Sequence, residues 1–208
     1  MRFAREGYPF IAVSLVLTVL LFLMGWAIAW PMLVVALFVL NFFRDPERHP
    51  PADPRAIVAP ADGRVIKVDR IHDENFLGGE AILISIFMSP IDVHVNRNPI
   101  DGTVVEVRYK RGRYLRAYAD EASIENEQNA VLVQDEAGRR ICYVQVAGFV
   151  ARRIVCHLGR GDRVRRGERY GMIRFGSRAD IYLPIEAAPA VQVGQRTTAG
   201  ETVLARWS

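Results

Sequence analysis

The stretch MIRFGSRADIYLP, from Met172 to Pro184, has the composition of a β-strand near the end of a 208-residue chain. Isoleucine, phenylalanine and tyrosine are enriched in strands because their side chains pack well on a pleated surface. Gly176 and Ser177 interrupt this pattern in its middle, and a glycine inside a strand often marks a bulge or a close approach of the backbone. We therefore predict one strand with an interruption at Gly176, where the chain either bends or reacts.

The rest of residues 57–208 repeats this strand composition in short runs separated by turn residues. In GTVVEVRY, at 102–109, Val105, Val107 and Tyr109 alternate with charged residues, as in a half-buried strand. Glycine-rich turns in this part of the chain resemble those of hammerhead β-sandwiches such as lipoyl domains. Since no long amphipathic helix intervenes, the sequence predicts a mainly β domain, built as a barrel or a hammerhead-like β-sandwich.

Residues 1–43 have a different character, since none of the 37 residues from Gly7 to Phe43 is charged. A secretory signal has a shorter apolar core and a cleavage site, so we interpret this segment as a retained membrane segment. One helix along it would be about 50 Å long, against a hydrocarbon core of roughly 30 Å. A break near Gly25 and Pro31 predicts a membrane-inserting helical hairpin, with helices at about 10–24 and 27–43. A single span with an interfacial stub is the alternative.

Arginines flank both ends of the apolar segment, with Arg2 and Arg5 before it and Arg44 and Arg48 after it. Because positively charged flanks tend to stay in the cytoplasm, we expect the protein on the cytoplasmic face of the cell membrane. Residues 44–56 are rich in proline and polar residues, which predicts a stiff linker to the β domain. Residues 44–208 hold 25 basic and 22 acidic residues, and this net charge of +3 suits a domain beside an anionic membrane surface; no nucleic-acid partner is expected.

Cysteine and histidine spacing gives little indication of a metal site. The two cysteines show neither metal-ligand spacing nor a disulfide framework, and no metal is expected. Cys156 and His157 are neighbours on a predicted strand, so their side chains point to opposite faces and cannot form a nucleophile–base dyad. His94 alternates with Asp92 and Asn96 in DVHVNR, which we predict to be one strand with these three side chains on one face.

Four short motifs follow one another along the chain: FFRDPER at 42–48, PADG at 60–63, SPIDVHVNRNP at 89–99 and FGSR at 175–178. Taken together, behind an apolar N-terminus, they resemble the short form of the phosphatidylserine decarboxylase family. The resemblance runs from about Asn41 to Pro184. One such motif would be a weak signal, whereas four in the same order are specific.

The resemblance implies a proenzyme that cuts itself between Gly176 and Ser177. The Ser177 hydroxyl would attack the Gly176 carbonyl, and β-elimination followed by hydrolysis would leave a pyruvoyl group in place of the serine. This covalent cofactor would form a Schiff base with phosphatidylserine in the membrane and act as the electron sink for loss of carbon dioxide, giving phosphatidylethanolamine. The two chains, 1–176 and 177–208, would stay associated, and a homo-oligomer is left open.

The same resemblance gives a set of candidate site residues. Ser177, His94 and Asp62 are the expected catalytic residues, with His94 in an acid–base role and Asp62 orienting a base or assisting self-cleavage. Longer relatives carry a second histidine three residues after the first, where this chain has Arg97. Either His94 serves both steps, or Arg97 binds the substrate carboxylate or stabilises an oxyanion. Without the resemblance, His94 would be read as a buried structural histidine, Asp62 as a turn former and Arg97 as a surface residue.

Two other functions are compatible with parts of the sequence. A non-enzymatic, membrane-anchored hammerhead β-domain, acting as an adaptor or assembly module, would explain the anchor and the glycine turns. It would leave the motifs around Asp62, His94 and Ser177 without a role and predicts one intact chain. A related enzyme acting on another serine-headgroup lipid, such as archaetidylserine, is the second alternative, because the headgroup chemistry is shared.

Overall fold

The computed structural model describes residues 2–112, 126–148, 153–174 and 177–208. Most of the polar stretch ADEASIENEQN, expected to form a short helix or a loop, lies outside these residues, as does Gly176. The chain forms two compact units, residues 1–47 and 48–208. The first unit is helical and the second consists of strands, so the predicted fold class, a mainly β domain preceded by an apolar helical hairpin, is confirmed.

The first unit contains the helices α1 (Tyr8–Leu23) and α2 (Ala29–Phe42). A short 3-10 turn, Arg5–Gly7, precedes α1. Gly25 lies between the two helices with φ 67°, a backbone conformation that glycine adopts without a steric penalty. The observed helix bounds therefore lie within two residues of those that the break near Gly25 predicted.

Contacts between α1 and α2 show that the helices run antiparallel. The Thr18 hydroxyl of α1 lies 3.4 Å from the Met32 carbonyl of α2, and the Phe22 and Trp30 rings stack edge to face at 5.2 Å. At the other end, an isolated antiparallel bridge joins Phe3 to Arg44. Both ends of the apolar segment thus lie side by side, as in a hairpin.

Apolar side chains cover most of the surface of these helices. Val13 is 68% exposed and Leu23 is 79% exposed, although both are strongly hydrophobic. By length and composition, the helical stretch Arg5–Leu23 is sufficient to cross a membrane, whereas α2 is shorter. These exposed apolar faces are consistent with membrane association.

The second unit is built from antiparallel strands. In the described residues these are β1 (Ala56–Val58), β2 (Gly63–Asp73), β3 (Gly79–Met88), β4 (Val95–Arg97), β5 (Gly102–Lys110), β6 (Gln128–Gln134), β7 (Arg140–Ala147), β8 (Ile154–Cys156), β9 (Arg163–Val164), β10 (Arg169–Ile173), β11 (Ser177–Pro184), β12 (Ala187–Pro189), β13 (Arg196–Thr197) and β14 (Val203–Trp207). A curled, half-barrel sheet has the order β13-β2-β3-β11-β7-β6-β5-β9, and two smaller sheets have the orders β4-β10-β8 and β1-β14-β12.

The main core lies on the concave face of the large sheet. Successive residues of a strand point to opposite faces, so every second residue of a central strand contributes to this core. Each fully buried Ile or Leu side chain stabilises the fold by roughly 1.5–3 kcal/mol. The inward side chains include Ile84, Ile86 and Met88 of β3, Ala179, Ile181 and Leu183 of β11, and Val131, Ile141 and Tyr143 of β6 and β7.

A bulge changes the alternation that the sequence of β5 predicts. The register of β5 against β6 shifts between Val104 and Glu106, so Val105 is an extra residue in the strand. Val104 is consequently buried in the core, while Tyr109 is 54% exposed. The simple alternation of Val105, Val107 and Tyr109 is therefore not the observed one.

The prediction of one interrupted strand from Met172 to Pro184 is wrong. β10 ends at Ile173 and pairs with β4 and β8, whereas β11 begins at Ser177 and pairs with β3 and β7. The chain therefore passes from one sheet to another between these two residues. Strand composition continues across the break because both segments are buried strands, and composition does not specify the partner of a strand.

Candidate active site

Ser177 occupies the first position of the central strand β11. It pairs with Met88 at the end of β3 on one side and with Ala147 at the end of β7 on the other. Its side chain is fully buried, and it shares the core face with Ala179 and Ile181, which lie two and four residues further along. The serine hydroxyl therefore lies in the interior of the domain, at the residue where the chain enters the large sheet.

The Ser177 hydroxyl donates a hydrogen bond to Met88 Sδ, and the Oγ–Sδ distance is 3.3 Å. A thioether sulfur is a weak acceptor, so it orients the hydroxyl without taking up its proton. Met88 was not among the predicted site residues. The only local signal was its position at the end of a buried strand, directly before the SPIDVHVNRNP motif.

His94 lies just before β4, in contrast to the predicted strand that contained Asp92, His94 and Asn96. The strand spans only Val95–Arg97, because Asp92 closes a turn with Ser89. The Ser89 N–H donates to the Asp92 carboxylate at 2.8 Å, and the Asp92 N–H donates to the Ser89 carbonyl at 2.8 Å. Such bonds between an aspartate side chain and the nearby backbone compete with strand pairing.

This turn fixes the tautomer of His94. Nδ1 of the fully buried imidazole lies 2.9 Å from the Asp92 carbonyl oxygen. A carbonyl oxygen only accepts hydrogen bonds, so Nδ1 carries the hydrogen and, in the neutral ring, Nε2 carries the lone pair. His94 is therefore prepared to accept or return a proton at Nε2.

Strand pairing places His94 beside the segment that leads to Ser177. Met172 of β10 is the register partner of Val95, and the Ile173 N–H lies 3.4 Å from the His94 carbonyl oxygen. Ile173 is the last residue of β10, immediately before the sheet crossover. The structure thus brings the turn that carries His94 and the start of β11 to the same end of the domain.

A network of buried amides lies next to Met88. Gln145 Nε2 donates to Asn96 Oδ1 at 2.9 Å and to the Val155 carbonyl at 3.2 Å. Asn96 Nδ2 in turn lies 3.8 Å from Met88 Sδ and 3.4 Å from the Pro60 carbonyl. Asn96 was visible in the motif around His94, but nothing in the sequence indicated that Gln145 would contact it.

Asp62 is held by partners from both ends of the β domain. Its Oδ2 accepts from Arg48 Nη2 at 2.8 Å, and its Oδ1 accepts from the Ala199 N–H at 2.7 Å. Both ion-pair side chains are only 15% exposed. The carboxylate thus fastens the PADG turn to the linker and to the C-terminal segment.

Arg97 is a buried residue, so its interpretation as a surface residue is wrong. It is 4% exposed, and its Nη1 donates to the Gly167 carbonyl at 2.8 Å. Its backbone N–H also donates to the Pro60 carbonyl at 3.0 Å. Arg97 therefore connects the PADG turn to the turn at Gly167.

Cys156 and His157 differ in their surroundings, as their alternation predicted. Cys156 packs against the core, and burial raises the pKa of its thiol, which keeps it protonated near neutral pH. His157 is exposed, and its backbone N–H bonds to Tyr170. Among the described residues, no group of three or more histidine, cysteine or acidic side chains is arranged to hold a metal ion.

An ion pair lies directly beside the serine, on the other face of β11. Arg178 Nε lies 2.9 Å from Asp180 Oδ1, and Arg178 Nη2 lies 3.0 Å from Asp180 Oδ2. The side chains are 2% and 1% exposed. The contact between Nη2 and Oδ2 is a charge-assisted hydrogen bond, a strong interaction that restrains the backbone immediately after Ser177.

A buried serine hydroxyl and a buried histidine at one end of a β domain are compatible with an enzyme that combines nucleophilic with proton-transfer chemistry. Comparisons with known proteins specify this class. A profile of the phosphatidylserine decarboxylase family matches residues 35–205. The phosphatidylserine decarboxylase proenzyme of Burkholderia multivorans is 46% identical over 203 residues, covering 97% of this chain and 94% of the relative.

Proteins of the same name from two Paraburkholderia species give matches of similar extent. The Paraburkholderia phymatum protein is 45% identical and the Paraburkholderia xenovorans protein 44% identical, each over 97% of this chain and 95% of the relative. The chain belongs to the phosphatidylserine decarboxylase family.

Proposed function

We propose that this chain is a self-cleaving proenzyme that matures into a decarboxylase of phosphatidylserine. The observation that carries the proposal is Ser177, a buried hydroxyl at the start of a central strand, in the FGSR motif of a chain that belongs to this family. Family membership does not favour the adaptor alternative, since the family is one of enzymes.

Self-cleavage uses the serine as a nucleophile against its own chain. A base removes the proton from Ser177 Oγ, the oxygen bonds to the Gly176 carbonyl carbon, and the C–N bond breaks as the nitrogen takes up a proton. Removal of the Ser177 Cα proton then expels the Gly176 carboxylate and leaves a dehydroalanine. Its imine tautomer takes up one water and releases ammonia, which gives a 32-residue chain beginning with a pyruvoyl group. Gly176 lies outside the described residues, so its part rests on the motif.

The residues around Ser177 fit a pyruvoyl group. The group is made from the atoms of Ser177 and stays covalently attached to Arg178, beside Met88 and Asn96. Asn96 offers an amide donor to a carbonyl oxygen, which only accepts hydrogen bonds. When present, the group supplies an electrophilic carbonyl that condenses with the substrate amine and accepts the electrons released with carbon dioxide.

His94 is the proposed acid–base residue of the decarboxylation. Its Nδ1 is tied to the Asp92 carbonyl, so Nε2 is the nitrogen that exchanges a proton with the substrate carbon. Asp62 is a proposed positioning residue in self-cleavage, because it fastens the PADG turn to Ala199 of the small chain. Arg97 is proposed to bind substrate, although the observed contact of its guanidinium is with Gly167.

The apolar helices suit an enzyme whose substrate is a membrane lipid. α1 and α2 expose apolar faces, and anchoring would keep the domain at the level of the lipid headgroup. The arginines that flank the hairpin support a position on the cytoplasmic face, since positively charged flanks tend to stay in the cytoplasm. Activity on ester-linked against ether-linked serine lipids separates phosphatidylserine from the archaetidylserine alternative.

Intact mass under denaturing conditions tests the proposal. We expect two chains separated between Gly176 and Ser177, with the small chain lighter than its sequence by one ammonia. The matched variant Ser177→Ala lacks the nucleophile and should give a single full-length mass. A full-length mass for the unmodified protein, together with no release of carbon dioxide from phosphatidylserine, would overturn the proposal.

A further inference from the structure

Among the described residues, the side-chain amide of Asn96 makes only long, weak contacts as a donor. Asn96 is fully buried, yet Nδ2 lies 3.4 Å from the Pro60 carbonyl and 3.8 Å from the thioether of Met88. A good N–H···O bond has a length of about 2.9 Å, and a thioether is a weak acceptor. A buried donor with weak partners is expensive to keep and gains most when a stronger acceptor forms nearby.

The orientation of this amide is fixed by the backbone. Gln145 Nε2 donates to the Val155 carbonyl, which can only accept, so the amide of Gln145 cannot be turned around. The same nitrogen donates to Asn96 Oδ1 at 2.9 Å. Asn96 must therefore direct Nδ2 away from Gln145 and toward Met88.

Asn96 and Ser177 contact the same sulfur atom. Met88 Sδ accepts from Ser177 Oγ at 3.3 Å and lies 3.8 Å from Asn96 Nδ2. The oxygen that becomes negative during self-cleavage is bonded to the carbon that Oγ attacks. We propose that Asn96 Nδ2–H donates to this oxygen and stabilises its negative charge, an inference that rests on the proposed self-cleavage.

The movement of electrons during self-cleavage shows at which stage the Asn96 donor acts. As Ser177 Oγ bonds to the Gly176 carbonyl carbon, the C=O electron pair moves onto oxygen, and it returns when the C–N bond breaks. A donor already aimed at this position lowers the barrier without reorganising, and its effect is large in a site that excludes water. Asn96 meets this condition because Gln145 holds its amide in place before the reaction begins.

Self-cleavage kinetics of the full-length chain, synthesised in a cell-free system with phospholipid vesicles, test the inference. We expect Asn96→Ala to slow the appearance of the 1–176 and 177–208 chains by on the order of 10²-fold, as for loss of one oxyanion donor. Asn98→Ala is the matched control, because Asn98 is also buried and bonded, to Tyr143 Oη at 2.8 Å. It should cleave at the wild-type rate.

Hydroxylamine, which cleaves esters, identifies the step that is slowed. If Asn96 acts in the formation of the ester, added hydroxylamine will not restore cleavage of the Asn96→Ala chain. Rapid cleavage of that variant by hydroxylamine would show that the ester forms normally and would overturn the inference. Cleavage of Asn96→Ala within about threefold of Asn98→Ala would do the same.

A second variant covers the case in which Asn96→Ala destabilises the domain. Asn96→Leu keeps nearly the same volume, adds no charge and removes the donor, while Gln145 Nε2 retains the Val155 carbonyl as an acceptor. Slow cleavage of this variant with an unfolding temperature equal to that of Asn98→Ala supports the inference, and cleavage at the wild-type rate would overturn it. If the unmodified chain does not cleave either, the proposed function fails as well. The unmodified chain, measured in the same experiment, separates this outcome from a failure of the inference alone.

Discussion

At the scale of single residues, the hydroxyl of the proposed nucleophile is oriented by a weak hydrogen bond. Ser177 Oγ donates to a thioether sulfur that cannot take its proton, and the tautomer of His94 is set by a backbone carbonyl. Both side chains are fully buried, so water does not compete for either of them. In the proposed precursor, both groups are therefore oriented before any bond changes, and self-cleavage still requires a base for the serine.

The role of His94 can be tested by removing its ionisable ring. His94→Gln should lower the rate of carbon dioxide release, per pyruvoyl-bearing chain, by on the order of 10²-fold or more, which is the range for acid–base groups. Intact mass measured on the same sample gives the fraction of cleaved chain, so that maturation and decarboxylation are counted separately.

The exposed residue His72 provides the control for this substitution. Its side chain is 62% exposed and pairs with Glu80 on the surface, so His72→Gln should leave the rate unchanged. An equal rate for His94→Gln and His72→Gln would remove His94 from the mechanism.

At the scale of elements, β11 begins with the proposed nucleophile Ser177 and carries a buried ion pair directly after it. Arg178 and Asp180 lie on the face opposite Ser177 and are nearly inaccessible to water. A buried ion pair adds little to the stability of a fold compared with an apolar pair of the same volume. Removing one partner is nevertheless strongly destabilising, because it leaves a buried charge unpaired. We interpret this pair as fixing the start of β11 in position.

Thermal unfolding in detergent tests this interpretation, with all variants made in the uncleaved Ser177→Ala chain. Arg178→Met should lower the free energy of unfolding by about 3–5 kcal/mol, which corresponds to a drop in unfolding temperature on the order of 10 °C. The double variant Arg178→Met with Asp180→Leu should recover most of the loss, because no buried charge remains.

An exposed pair supplies the control for the ion-pair variants. Arg108→Met breaks the pair with Glu106, in which both side chains are about half exposed, and should barely change the unfolding temperature. If Arg178→Met unfolds at the same temperature as Arg108→Met, the buried pair does not stabilise β11.

At the scale of the whole molecule, residues 177–208 contribute strands to two sheets of the β domain. β11 pairs with β3 over eight residue pairs and with β7 over six, so it has no free edge along most of its length. Of the later strands, β13 pairs with β2 at the edge of the same large sheet, and β14 lies between β1 and β12 in a smaller sheet. Leaving the domain would open the core and break several ladders at once.

We therefore expect the two chains to co-elute on gel filtration in mild detergent after complete cleavage. Strand pairing and core burial hold the chain 177–208 in place, and only denaturant should separate it. The uncleaved Ser177→Ala protein marks the expected elution volume. Loss of the small chain under native conditions, with the large chain still folded, would contradict the prediction.

Local features of the fold follow directly from the sequence. The uncharged run from Gly7 to Phe43, broken near Gly25, predicted two apolar helices close to their observed bounds. Strand composition predicted the mainly β domain, and the motifs indicated the family and singled out Ser177. These features depend on neighbouring residues, whose periodicity and composition are visible in one dimension.

Contacts between residues that are distant in the sequence decided the other features of the fold and of the candidate site. The crossover between β10 and β11, the bulge at Val105 and the pairing of Asp62 with Arg48 depend on which segments meet in space. Ser177 and Met88 are 89 positions apart, and Asn96 and Gln145 are 49 apart. No local pattern encodes such contacts, because the register and packing of whole sheets determine them. The sequence thus determined which residues this protein uses, and the tertiary structure decided what each of them touches.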